Sequence, residues 1–121
     1  MNELQWVEFL RKKKKRDKKI VAGIGDDCAV IRQGKGYLLY SSDLFLENIH
    51  FDRKKMRPKD IGRRAAARAM SDIVACGGAP RYLGVSYGRP RSCTTAMLKN
   101  VYRGIEEYCG EYDVALIGGD T

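Results

Sequence analysis

The sequence predicts an α+β fold: a mixed or antiparallel sheet covered on one face by two main helices. Two long segments, 58–76 and 94–109, carry apolar residues at helical spacing. Short apolar runs at 20–22, 28–32, 37–42, 82–87 and 114–117 are bounded by glycines or polar turns, as strands are. The 121 residues contain no repeat and no internal linker, which suits one domain of ordinary size.

Each element follows from its own residues. Asn2 can cap a first helix, with Gln5 placed to complete a capping box and Leu4, Val7 and Leu10 as one apolar stripe. A basic run then leads into the strand Ile20-Val21-Ala22. Gly23-Ile24-Gly25-Asp26-Asp27 is a glycine-punctuated turn, followed by a strand from Cys28 to Arg32. Gly34-Lys35-Gly36 makes a hairpin loop that returns through Tyr37 to Ser42, and Asp43 stands where that strand should end.

Residues 44–57 give no clear element. Pro58 marks the start of a helix running to about Cys76, closed by Gly77-Gly78 and buried along Ile61, Ala65, Ala69, Ile73 and Cys76. Tyr82 to Tyr87 is a strand weakened by Gly84. Thr94 or Thr95 opens the second long helix, with Leu98, Val101, Ile105, Tyr108 and Cys109 on one face. Val114 to Ile117 is a buried strand, and Gly118-Gly119-Asp120-Thr121 follows it directly.

The net charge of +8 invites a nucleic-acid partner, but its distribution argues against one. Arg11 to Lys19 hold eight of the 23 basic groups and one of the 15 acids, so the remaining sequence is close to neutral. A run of like charges is ordinarily a solvated segment. No interleaving of aromatic and basic residues supports base stacking. Cys28, Cys76, Cys93 and Cys109 form no CxxC pair, which excludes an ordinary zinc knuckle and gives no disulfide framework. No apolar run reaches the roughly 18 residues that a membrane span needs, and no secretory signal is visible, so a cytoplasmic setting is expected.

The chemistry lies in scattered aspartates. Asp26 and Asp27 precede a strand after a glycine turn, Asp43 follows a strand, and Asp120 follows a strand and two glycines. Backbone can approach a ligand closely at such strand ends, though each of these residues also suits a plain turn. Asp72 is different, because it lies on or beside the apolar stripe of its helix and near the C-terminal end, where the macrodipole disfavours negative charge. A carboxylate there calls for a salt bridge to an arginine or for a metal ion. Oxygen donors without histidine or thiolate would select a hard cation such as Mg²⁺. Whether the carboxylates converge does not follow from spacing.

Together, Gly23-Ile24-Gly25-Asp26-Asp27-Cys28-Ala29-Val30, Ser41-Ser42-Asp43, Ser71-Asp72-Ile73, Gly77-Gly78-Ala79-Pro80 and Gly118-Gly119-Asp120-Thr121 resemble the thiamine-monophosphate kinase pattern over essentially the whole sequence. Several pieces are shared with aminoimidazole ribonucleotide synthetase, selenophosphate synthetase and a hydrogenase maturation protein. The GIGDD turn and Asn48-Ile49-His50-Phe51 favour the kinase. The resemblance implies transfer of the γ-phosphoryl group of ATP to thiamine monophosphate, assisted by several Mg²⁺ ions. It places Asp27, Ser41, Ser42, Asp43, Asp72 and Asp120 at metal positions, Gly119, Asp120 and Arg103 at nucleotide contacts, and His50 at a substrate contact. No residue is assigned as a covalent or acid–base catalyst, since phosphoryl transfer rests mainly on positioning and charge neutralisation. A homodimer formed through the sheet is also implied.

Departures from the pattern are Ser42 in place of a threonine, Ala69-Met70-Ser71-Asp72 for Asn-Leu-Ser-Asp, and Ala75-Cys76-Gly77 for Ala-Met-Gly. The family carries a second α/β domain beyond the GGDT segment. Residues 1–121 are therefore expected to form a single N-terminal ATP- and Mg²⁺-binding domain, inactive alone, with 11–19 as its basic segment. The competing readings are a noncatalytic dimerisation or nucleotide-binding module, a relative acting on another phosphate substrate, and a small basic nucleic-acid binder.

Overall fold

Residues 1–14 and 16–121 are described by a computed structural model; Lys15, inside the basic run, lies outside the described residues. In chain order the elements are α1 (Glu3–Lys13), β1 (Ile20–Ala22), β2 (Ala29–Gln33), β3 (Gly36–Tyr40), α2 (Pro58–Ala75), β4 (Tyr82–Ser86), α3 (Thr95–Glu111) and β5 (Ala115–Asp120). They divide into two compact units, one formed by 1–42 and 72–78, the other by 43–71 and 79–121.

In the first unit α1 opens on the expected capping box. The Gln5 N–H donates to Asn2 Oδ1 at 2.9 Å, and the Asn2 N–H donates to Gln5 Oε1 at 3.0 Å. Arg11, Lys12 and Lys13 occupy the last turn, where the helix dipole favours cations. β1, β2 and β3 form an antiparallel sheet in that order. Its register puts Ile31 opposite both Ile20 and Leu38, and Ala29 opposite Tyr40. Gly34 turns the β2–β3 hairpin at φ 58°, a left-handed conformation that favours glycine. The end of α2 is closed as the Gly77-Gly78 pair foretells. Gly77 sits at φ 77°, its N–H donates to the Val74 carbonyl and the Gly78 N–H donates to the Ile73 carbonyl, which is the Schellman arrangement. A side chain at Gly78 would press on Leu39 and Ile73.

In the second unit β4 and β5 pair in parallel, joined through α3, as a parallel pair requires a long crossover. Thr94 caps α3, its side chain accepting from the Met97 N–H. Ala66 and Met70 of α2, Ile105 and Cys109 of α3, and Val114 form the core, with Leu83, Val85, Tyr87, Val101 and Leu116 packed around it. α2 and α3 cross at two glycines. A Cβ on Gly62 would collide with the Val101 carbonyl, and one on Gly104 with the Lys59 carbonyl. Beside the crossing, Arg63 donates to Glu107 at 2.8 Å and to Glu111 at 2.7 Å, and Lys59 pairs with Glu107.

The α+β class holds, and the strands divide between two sheets rather than one. The deep row of α2 is Ile61, Gly62, Ala66 and Met70, one position on from the expected Ala65 and Ala69, because the glycine crossing sets which side of the helix meets α3. β3 stops at Tyr40, so Ser41, Ser42 and Asp43 lie beyond the strand. β5 continues through Gly118 and Gly119 to Asp120, because β4 supplies ladder partners that need no side chain: Gly84 for Gly118, Val85 for Gly119 and Ser86 for Asp120.

Candidate active site

The first unit gathers the glycine turn, the residue after β3 and the last turn of α2. Gly25 turns the chain at φ 96°, and a side chain there would run into the Arg11 guanidinium, whose Nε donates to the Ile24 carbonyl at 2.8 Å. The turn presents Asp26 and Asp27, both exposed, and a carboxylate oxygen of each lies within 4.8 Å of the other and of the Cys76 sulfur. The Ser41 hydroxyl donates to Asp72 Oδ2 at 2.9 Å and also reaches the Asp27 carbonyl at 3.4 Å. Three of the six expected metal positions, Asp27, Ser41 and Asp72, are thus neighbours; Ser42 is exposed beside them in sequence.

Asp72 is half-buried rather than buried, and its partner is a hydroxyl rather than an arginine. Among the described residues, no cation lies within ion-pair distance of Asp26, Asp27, Asp72 or Asp120. These unneutralised oxygen donors fit a hard divalent cation. The neighbouring thiols do not suit such an ion. Cys28 is 3% exposed, and burial, the adjoining Cys76 thiol and the two aspartates push its own thiol up to about 12.

The second unit holds the other expected residues. Asp43 accepts a 2.7 Å bond from Arg68 Nε, so its carboxylate already has a cation. His50 belongs to a tight turn in which Asn48 takes φ 63°. Its Nδ1 accepts the Leu46 N–H at 2.8 Å, which leaves Nε2 to carry the proton of the neutral ring. Phe45 stacks on His50 at 5.6 Å and on Phe51 at 5.1 Å. Phe45, Ile49 and His50 line a cleft of about 510 Å³ together with Arg64, Ala67 and Arg68 of α2. A second cleft of about 350 Å³ is lined by Tyr87, Lys99, Tyr102, Arg103 and Glu106. The Asp120 carbonyl accepts the Tyr87 N–H at 2.6 Å, and a side chain added at Gly119 would meet the Tyr87 ring at 3.8 Å. Gly119, Asp120 and Arg103 therefore share one neighbourhood around Tyr87. The Tyr87 hydroxyl is buried without a partner among the described residues.

Sequence reasoning missed Arg64, Arg68, Phe45 and Tyr87. The arginines did leave a signal, being four residues apart on one helix and therefore on one face. Tyr87 left none, because its role depends on a strand pairing far along the chain.

A sequence model of the family described as AIR synthase related protein, N-terminal domain, matches residues 25–121. The chain is 34% identical to the thiamine-monophosphate kinase of Bacillus subtilis over its full length, spanning 38% of that protein. It is 37% identical over 97 residues to the thiamine-monophosphate kinase of Synechococcus elongatus, covering 79% of the chain and 30% of the relative. It is 31% identical to that of Methanocaldococcus jannaschii over its full length, spanning 39% of it. A solved structure described as AaThiL complexed with AMPPCP and TMP superposes on 98% of the chain and 36% of its own, with a TM-score of 0.85 and 27% identity. The thiamine-monophosphate kinase of Aquifex aeolicus shares the fold at a TM-score of 0.72 and 21% identity, covering 99% of the chain and 38% of its own. The chain spans well under half the length of these relatives.

Proposed function

The chain belongs to the AIR synthase related protein family, as its N-terminal domain, and from that premise we propose that it is the N-terminal, ATP- and Mg²⁺-binding part of a kinase that phosphorylates thiamine monophosphate to thiamine diphosphate. The observation that carries this reading is the superposition of 98% of the chain on a structure described as complexed with AMPPCP and TMP. The thiamine-monophosphate kinases matched over the whole chain support it.

In this reading Asp27, Ser41, Ser42, Asp43, Asp72 and Asp120 would hold several Mg²⁺ ions, which would supply neutralisation of phosphate charge. The unneutralised carboxylates of the glycine turn and of Asp72 fit that role. Ser41 fixes the orientation of Asp72 through its hydroxyl. Gly119 lets the nucleotide approach backbone beside Asp120, with Arg103 in the adjoining cleft. His50, held through Nδ1, orients the acceptor substrate rather than removing a proton, since a phosphate acceptor is already ionised at neutral pH.

A homodimer through the three-stranded sheet belongs to the same reading. Its supporting observation is the exposed apolar surface of that sheet: Ile20, Leu38 and Tyr40 are 47%, 49% and 64% exposed. No helix among the described residues is long and apolar enough to cross a membrane, and we place the kinase in the cytoplasm.

The test is a coupled assay with ATP, Mg²⁺ and thiamine monophosphate on the full-length kinase of which this chain is proposed to be the N-terminal part. Formation of thiamine diphosphate with release of ADP is expected. The family description is wider than the kinase, so activity on another phosphate substrate, with none on thiamine monophosphate, would replace the substrate and leave the family standing.

A further inference from the structure

We infer that Arg11 is a positioning residue of the glycine turn: by pinning the Ile24 carbonyl it holds Asp26 and Asp27 in the arrangement that takes a divalent cation. The use made of Asp27 rests on the proposed function; the tie itself does not. Arg11 stands in the last turn of α1, outside every motif that marks the family. Its Nε donates to the Ile24 carbonyl, 13 residues along the chain, at 2.8 Å. Among the described residues it is the one side chain of α1 that hydrogen-bonds beyond its own helix. No carboxylate among them lies within ion-pair distance of Arg11, so an ion pair does not account for its placement.

The turn needs such a tie. Gly23 and Gly25 flank Ile24, and glycine leaves the backbone on either side of it soft. The turn supplies one closure itself, the Asp26 N–H donating to the Gly23 carbonyl at 3.0 Å. Beyond it, the Asp27 carbonyl accepts the Ser41 hydroxyl at 3.4 Å. Between these two bonds, the Ile24 carbonyl sets the peptide plane that leads into Gly25 at φ 96°. A charged donor holds such a carbonyl more firmly than a neutral one does. The guanidinium also occupies the space that a side chain at Gly25 would take, which blocks a peptide flip toward that side. Electrostatics then separates positioning from charge by its sign. A cation near Asp26 and Asp27, yet beyond ion-pair distance of both, repels a second cation. Loss of the charge alone would tighten Mg²⁺ binding; loss of the tie weakens it.

The experiment uses the full-length protein and titrates Mg²⁺ against wild type, Arg11→Met, Arg11→Lys and Lys13→Met. It reads direct Mg²⁺ binding by calorimetry, the Mg²⁺ requirement of turnover with ATP and thiamine monophosphate, and thermal melts. Arg11→Gln is the second variant should Arg11→Met fail to fold. In Arg11→Met, Mg²⁺ binding weakens about tenfold, the order seen when a group that orients metal ligands is lost, while kcat at saturating Mg²⁺ stays near wild type. Arg11→Lys recovers part of the affinity, because its ammonium can still donate to the Ile24 carbonyl. Lys13→Met, which removes a charge from the same helix end without touching the turn, keeps wild-type affinity. Unchanged or tighter Mg²⁺ binding in Arg11→Met would overturn the inference, as would an equal loss in Lys13→Met. A lower melting temperature with an unaltered Mg²⁺ requirement would reduce Arg11 to a structural contact. Normal turnover with Mg²⁺ binding that ignores Arg11 removes the positioning role and keeps the kinase. Mg²⁺ binding that depends on Arg11, without turnover of thiamine monophosphate, keeps the role and removes the kinase.

Discussion

Ser41 and Asp72 are joined by a 2.9 Å hydrogen bond, the serine hydroxyl donating to a carboxylate oxygen. Ser41 lies just beyond β3 and Asp72 in the last turn of α2, so the bond ties two distant segments of one compact unit. It also gives a donor to a carboxylate that the helix C-terminus disfavours.

Asp72→Asn keeps the shape of this contact and removes its charge. On the proposed function, Mg²⁺-dependent ATP binding falls at least tenfold, while metal-free thermal stability is unchanged or higher. Ser41→Ala costs about 1 kcal/mol of stability, the net worth of one such bond. Calorimetric titration with and without Mg²⁺, paired with thermal melts, reads both. Equal Mg²⁺-dependent affinity in Asp72→Asn would remove that residue from the metal set.

Gly62→Ala and Gly104→Ala each push a methyl group into a backbone carbonyl of the facing helix. Overpacking of this kind costs roughly 1–3 kcal/mol, and here the obstacle is backbone, which yields less than a side-chain tip. Denaturant melts should show a lower midpoint for either variant. Gly110→Ala, where the added methyl meets nothing within 4 Å, should be neutral or stabilising within α3.

Leu38→Arg places a charge in the exposed apolar surface that Leu38 forms with Ile20 and Tyr40. If the sheet is the dimer surface, sedimentation shows wild-type dimer and variant monomer at the same concentration. A dimer that survives this substitution lies elsewhere.

Burial raises the Cys28 thiol first, with Cys76 and the two aspartates adding to it. A thiol raised to about 12 in the folded protein binds its proton more tightly than the unfolded chain does, whose value is 9.0. Its contribution to stability is therefore complete below pH 9 and is lost as the pH rises toward 12. Cys28→Ser or Cys28→Ala should flatten that alkaline loss in pH-dependent melts. In native protein at pH 8, mass spectrometry should find Cys28 the slower to alkylate when compared with the half-exposed Cys93.

The sequence by itself determined what local spacing can carry. The Asn2 capping box, the Thr94 cap, the Gly34 hairpin and the Gly77-Gly78 helix stop are each settled by residues within a turn of one another. The motifs that mark the family are equally local, and the family match confirms the recognition they gave. Tertiary structure decided which side of α2 is buried, because the Gly62 and Gly104 crossing depends on a helix some forty residues away. It also left Asp72, which the sequence reads as calling for an arginine or a metal ion, half-buried and hydrogen-bonded to Ser41, and paired Arg68 with Asp43. The Arg68–Asp43 pair spans 25 residues and the Ser41–Asp72 bond 31. Helical and strand periodicities say which face a side chain occupies; they do not say which distant face meets it.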